Sequence, residues 1–84
     1  MWHTYILQCA DGSLYTGVTT DLDRRIDEHN HSAKGAKYTR ARRPVLLVYS
    51  EACQTRSAAC SREFKIKQLT KKQKLELIDQ TFTL

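Results

Sequence analysis

"HTYILQCADGSLYTGVTTDLDRR", residues 3–25, carries two strand-like runs on either side of Ala10-Asp11-Gly12, then the start of a helix. Residues 2–9 are rich in β-branched and aromatic side chains, and residues 13–19 repeat that character, so a hairpin is predicted. Its loop length decides which side chains meet, because alternate residues of a strand share a face. A two-residue Asp11-Gly12 turn pairs Ala10 with Ser13 and sends Tyr5 and Tyr15 to opposite faces. A three-residue loop pairs Cys9 with Ser13, then Leu7 with Tyr15 and Tyr5 with Gly17, and the tyrosines share a face. Gly12 suits the left-handed position of the longer loop. That loop is the preferred reading, because Gly17 would leave a gap opposite Tyr5 where a ligand could approach. The plain alternative is a pair of ordinary half-buried tyrosines.

Outward from the hairpin, Asp21 is a suitable N-cap for a helix over residues 22–31. Residues 32–44 lack periodicity, contain Gly35 and end at Pro44, so they read as a long basic loop. Residues 45–52, VLLVYSEA, are nearly continuous apolar, which predicts a central strand covered on both faces. A helix is expected over residues 56–68. Thr70-Lys71-Lys72-Gln73 is a capping-box pattern that opens a last helix through about Asp79. The order is β-β-α-β-α-α, with no internal repeat, in a single domain over residues 1–84.

Of the 84 residues, 40 % are apolar and 27 % charged, a globular rather than a disordered composition. No apolar run approaches the ~20 residues that a membrane-spanning helix needs. The N-terminus lacks a basic, then apolar, signal-peptide pattern, so a cytoplasmic location is expected. Cys9, Cys53 and Cys60 are odd in number and far apart, which reads as free thiols. Zinc binding is disfavoured by the lack of any C-x₂-C pair. The net charge is +5, and it is uneven. Lys34, Lys37, Arg40, Arg42 and Arg43 form one acid-free segment; Lys65, Lys67, Lys71, Lys72 and Lys74 form another. Two such segments suggest a polyanion, most simply nucleic acid, with a solvated surface as the plain alternative.

Helix geometry singles out three further residues. At 100° per residue, Leu22 and Ile26 define the buried stripe of the first helix. Arg24 falls on the opposite side and faces water. Arg25 and His29 lie beside the stripe and are i, i+4 neighbours, near enough to act on one ligand; the alternative for Arg25 is a stem laid over the core edge with its head in water. On the later helix Glu63 falls inside the apolar arc of Ala59 and Ile66. A carboxylate there needs a partner, either a core-edge arginine such as Arg25 or a metal ion.

Taken in order, Tyr5, then Tyr15-Thr16-Gly17, then Arg25 and His29, then Glu63, resemble the GIY-YIG nuclease superfamily. The whole chain is similar to its small single-domain bacterial members, and GAKYTRARRPV (35–45) and EFKIKQLTKKQK (63–74) add to the likeness. The first triplet is here His3-Thr4-Tyr5, and the middle of the second is Thr16. The late asparagine of many members has no counterpart, since the only asparagine is Asn30. The resemblance implies an α+β fold with a three-stranded antiparallel sheet flanked by helices. It implies an endonuclease-type hydrolysis of phosphodiester bonds in DNA, with one divalent cation, Mg²⁺ or Mn²⁺, and a structure-specific role in DNA repair or processing. Tyr5 and Tyr15 match the signature tyrosines, Arg25 the phosphate-binding arginine, His29 the helix histidine and Glu63 the metal-binding glutamate.

The chemistry suits those residue types. Arg25 can hold two phosphate oxygens through its planar fork. Mg²⁺ needs few protein ligands when phosphate and water complete its shell. Tyr5 would take a proton from the attacking water, and it needs help because a free phenol ionises only near 10. Tyr15 would hydrogen-bond the phosphate or the nucleophile. His29 would orient a phosphate oxygen or relay a proton. The competing reading is a nucleic-acid-binding module with little or no catalysis, dominated by residues 34–43. Without a separate DNA-recognition domain, strong sequence specificity is not expected.

Overall fold

The computed structural model describes residues 1–82. Strands β1 (Trp2–Gln8), β2 (Leu14–Thr19) and β3 (Leu46–Cys53) form one antiparallel sheet in the order β2-β1-β3. Helix α1 (Leu22–His31) and the one-turn α2 (Lys37–Arg40) connect β2 to β3; α3 (Arg56–Lys67) and α4 (Lys71–Phe82) follow. The expected α+β order is present with α2 added inside the segment read as a loop. Four residues are too few to show a helical period, and α2 is held by tertiary contacts: Thr39 is fully buried.

The hairpin has the three-residue loop. Leu7 pairs with Tyr15 and Tyr5 with Gly17. Gly12 takes φ +83°, where a side chain would be strained. Cys9 N–H donates to the Ser13 carbonyl and Gly12 N–H to that of Cys9. The Asp11 carboxylate accepts from the Ser13 amide at 3.0 Å and from its hydroxyl, which rigidifies the turn. Both tyrosines therefore project from one face of the sheet.

The central strand is β1, not β3. Thr4, Tyr5, Ile6 and Leu7 are buried in succession, which requires cover on both faces. β3 lies at the edge, and a bulge shifts its register between Ile6 and Leu7. Leu46 and Leu47 remain 64 % and 40 % exposed, so the apolar run in 45–52 marks an edge strand with one buried anchor, Val45.

Alternation along β1 divides the interior in two. Tyr5, Leu7, Cys9 and Val45 pack with Tyr15, Leu22 and Ile26 on the α1 side. Ile6, Ile66 and Ile78 pack with Leu14, Val48, Tyr49 and Leu77 on the α3–α4 side. The caps match the sequence. Asp21 accepts from Arg24 N–H, Thr55 from Ala58 N–H, and Thr70 and Gln73 cap each other reciprocally. The last helix runs to Phe82, beyond the expected end near Asp79.

Candidate active site

On the α1 side of the sheet, a hydrogen-bond chain runs through buried side chains. Tyr5 Oη lies 2.8 Å from His29 Nε2, and His29 Nδ1 lies 2.8 Å from Thr39 Oγ1. Thr39 Oγ1 donates to the Ala36 carbonyl at 2.9 Å. A hydroxyl has one proton, so Thr39 must accept from His29 Nδ1–H. Nε2 of the neutral ring then bears the lone pair, and Tyr5 donates to it. The Thr39–Ala36 bond thereby fixes the tautomer of a histidine on another helix.

The surroundings keep both groups neutral. Burial pushes the Tyr5 phenol up to about 12, against the pull of the neighbouring Arg25 guanidinium. Burial, with the Arg25 charge adding to it, pushes His29 down to about 4. His29 is wedged edge-on between the two tyrosine rings, with centroids 5.9 Å from Tyr5 and 5.3 Å from Tyr15. Both of its nitrogens are engaged within the protein, so neither is turned toward a phosphate.

Gly17 does not leave a gap for a ligand; the Tyr5 phenol occupies that space. A Cβ on Gly17 would sit 2.5 Å from Tyr5 Oη and 2.7 Å from Cζ. The glycine is required because the hydroxyl end of the Tyr5 ring lies against the backbone of its cross-strand partner.

Arg25 is half-buried, and its head is not left to water. Nη1 donates to Glu28 Oε1 at 3.0 Å and to the Lys34 carbonyl at 2.9 Å, while the guanidinium acts electrostatically on Tyr5. Arg24 is exposed, as its position on the helix requires. Glu63 is half-buried rather than fully inside the apolar arc, and its partner is Lys67, at 3.2 Å, not Arg25. Glu63 is still near enough for its charge to raise Tyr5. The i, i+4 spacing on α3 places Lys67 and Glu63 on the same face of the helix, one turn apart.

Of the basic segment, only part faces outward. The Arg43 guanidinium turns onto the C-terminal carbonyls of α1, donating to His29 and, at 2.6 Å, to Ser32. Arg42 donates to Asp11 and to the Tyr38 carbonyl, and its guanidinium lies 3.9 Å from the centroid of the Tyr38 ring. Lys34, Lys37 and Arg40 are exposed. Asn30, on the helix that carries Arg25 and His29, bonds both backbone groups of Val45.

Sequence reasoning missed Thr39, Tyr38 and Glu28. Thr39 meets His29 only through tertiary structure, and no local pattern announces that. Tyr38 had a signal, as the one aromatic residue inside a basic segment.

A family model described as the GIY-YIG catalytic domain matches residues 1–76. A UPF0213 protein of Desulfotalea psychrophila is 62 % identical over 77 residues, covering 92 % of this chain and 70 % of that protein. One from Haloquadratum walsbyi is 54 % identical, covering 93 % and 86 %. Among solved structures, the solution NMR structure of a UPF0213 protein from Bacillus halodurans superposes with a TM-score of 0.60 at 48 % identity, over 94 % of this chain and 84 % of that one. That of a protein from E. faecalis gives 0.62 at 40 %, over 98 % and 88 %.

Proposed function

The chain belongs to the GIY-YIG family, a nuclease-type fold, and on that premise we propose that it is a divalent-metal-dependent endonuclease acting on DNA. The observation that supports this best is the buried Tyr5–His29–Thr39 chain beside Arg25.

Burial raises the Tyr5 phenol and lowers the His29 imidazole, so moving the proton outright from one to the other runs against both shifts. A free phenolate is therefore not the resting base. Tyr5 accepts a proton from the attacking water as it passes its own to Nε2, so neither a phenolate nor a hydroxide need accumulate. Thr39 keeps Nε2 free to receive it. Arg25 holds the scissile phosphate, exchanging part of its bond to Glu28 for charge-assisted bonds to phosphate oxygens. Tyr15, on the same face, orients the nucleophile or the phosphate.

Glu63 is the carboxylate that would hold the cation. It already attracts an ammonium at 3.2 Å, and among the described residues no group of three or more His, Cys, Asp and Glu is arranged for a metal. That donor set suits Mg²⁺ or Mn²⁺ shared with substrate phosphate and water. When bound, the ion supplies charge neutralisation at the phosphate and the leaving oxygen.

The test is cleavage of single-stranded, duplex and branched DNA, with Mg²⁺ and with EDTA. Cleavage is expected only with the metal, and Arg25→Ala and Glu63→Gln are expected to abolish it. Activity that persists in both variants contradicts the assignment. Salt-dependent binding without cleavage would favour a binding module instead.

A further inference from the structure

Beside the candidate active site lies a cavity of about 240 Å³ along the free edge of β2. It is lined by Leu14, Tyr15 and Thr16 of that strand, Tyr38 of α2, Lys67 of α3 and Lys74 of α4. None of the reaction roles above uses Tyr38, Lys67 or Lys74. Taking the nuclease reading as its basis, we propose that this cavity is a subsite for one unpaired nucleotide next to the scissile phosphate, its base against Tyr38 and its phosphate between Lys67 and Lys74.

Three features support this occupant. The first is an aromatic surface. Tyr38 and Tyr15 are near-parallel, at 25°, with centroids 6.1 Å apart, toward the wide end of the range for ring pairs. A third planar ring can add to so loose a pair. Tyr38 is 39 % exposed, and Arg42 fastens it in place through its carbonyl and ring while bonding Asp11 of the hairpin loop. A ring held in this way meets a base with little entropy left to lose.

The second is charge. The cavity is lined by the ammonium groups of Lys74 and of Lys67, which also pairs with Glu63 at 3.2 Å, and by no carboxylate, a setting that suits a phosphate rather than a cationic ligand. The third is continuity. Tyr15 belongs both to this cavity and to the ring contact with His29. Lys67 stands one helical turn, about 6 Å, beyond Glu63 on α3. A strand whose phosphate sits at Arg25 and Glu63 therefore meets the lysines with its neighbouring nucleotide. A paired base presents only its edge and cannot lie against Tyr38, so the subsite requires an unpaired one.

The experiment measures binding of fluorescently labelled oligothymidylate and of the same backbone carrying abasic residues throughout, in EDTA, with the full chain. Wild type is expected to bind the base-bearing strand about tenfold more tightly than the abasic one. Tyr38→Ala is expected to lose that ratio, Tyr38→Trp to retain it, and Lys74→Gln to reduce the log–log salt slope by about one. The proposal is overturned if Tyr38→Ala distinguishes the two strands as well as wild type does. Cleavage in Mg²⁺ is read separately. Base-dependent binding through Tyr38 without any cleavage upholds the subsite and contradicts the nuclease reading. Cleavage with base-independent binding does the reverse.

Discussion

The two faces of β1 are equally well buried and chemically unlike. On the α3–α4 side, Ile6 packs against Ile66 and Ile78, and the contact is apolar. On the α1 side, Tyr5 shares its face with Leu7, yet its hydroxyl enters a chain of buried polar groups through His29 and Thr39. Buried polar groups cost stability unless each finds a partner, and here each does. The α3–α4 side also holds buried polar groups, since Thr4 Oγ1 donates to the Ala59 carbonyl at 2.9 Å and Thr16 is buried beside Ile6. The difference is one of kind: on the α1 side the buried groups include the titratable Tyr5 and His29, linked in one chain.

The largest effect should come from removing the hydroxyl alone. Tyr5→Phe keeps the ring over Gly17 and is expected to reduce cleavage by about 10²- to 10⁴-fold, measured as kcat on labelled DNA. Ile66→Ala, the matching change on the other face, should do the opposite. Denaturant unfolding should show a loss of roughly 2–5 kcal/mol, while the folded fraction cleaves at the parental rate. If Ile66→Ala abolished cleavage by the folded protein, the division between faces would fail.

Acid should act on one face as well. His29 ionises at about 4 in the folded chain and near 6.5 when unfolded. Between those values the unfolded chain binds the additional proton, so stability falls as pH drops from about 6.5 toward 4. It is unchanged by this group above that window. The full loss is roughly 3 kcal/mol, and thermal unfolding at pH 7 and pH 4.5 should show most of it. Arg43→Ala sharpens the contrast within the basic segment. It removes bonds to the end of α1, so a loss of roughly 1–2 kcal/mol in stability is expected, with an unaltered salt slope for DNA binding. A slope smaller by one would show Arg43 to be a phosphate contact instead.

Much of this contrast is legible in the sequence because it depends on local periods. The helix caps and the inward tilt of Arg25 and His29 follow from spacing and turn chemistry. The shared face of Tyr5 and Tyr15 does not, because both hairpin loops fit the sequence and the gap at Gly17 that favours the longer one is filled by the Tyr5 phenol. What depends on distant segments is not legible. The apolar run 45–52 suggests a central strand because sequence shows hydrophobicity and not neighbours; β1 takes the centre and leaves Leu46 and Leu47 outside. Glu63 has two partners by charge, Arg25 and Lys67, and it pairs with Lys67, four residues on along the same helix. Thr39 is ten residues from His29 and tunes it through a contact that no pattern encodes. The basic segment is correct as composition and divided in use, since Arg42 and Arg43 serve the fold while Lys34, Lys37 and Arg40 face outward.

The central claim is the state of His29, and NMR of the ¹⁵N-labelled imidazole reads it directly. Long-range ¹H–¹⁵N correlations should show a neutral ring protonated at Nδ1, with Nε2 in the range of a lone-pair nitrogen accepting a hydrogen bond. That pattern should persist as pH is lowered well below 6, and Thr39→Val should disturb it. A ring protonated at Nε2, or one that titrates near 6.5, would contradict the relay from Tyr5.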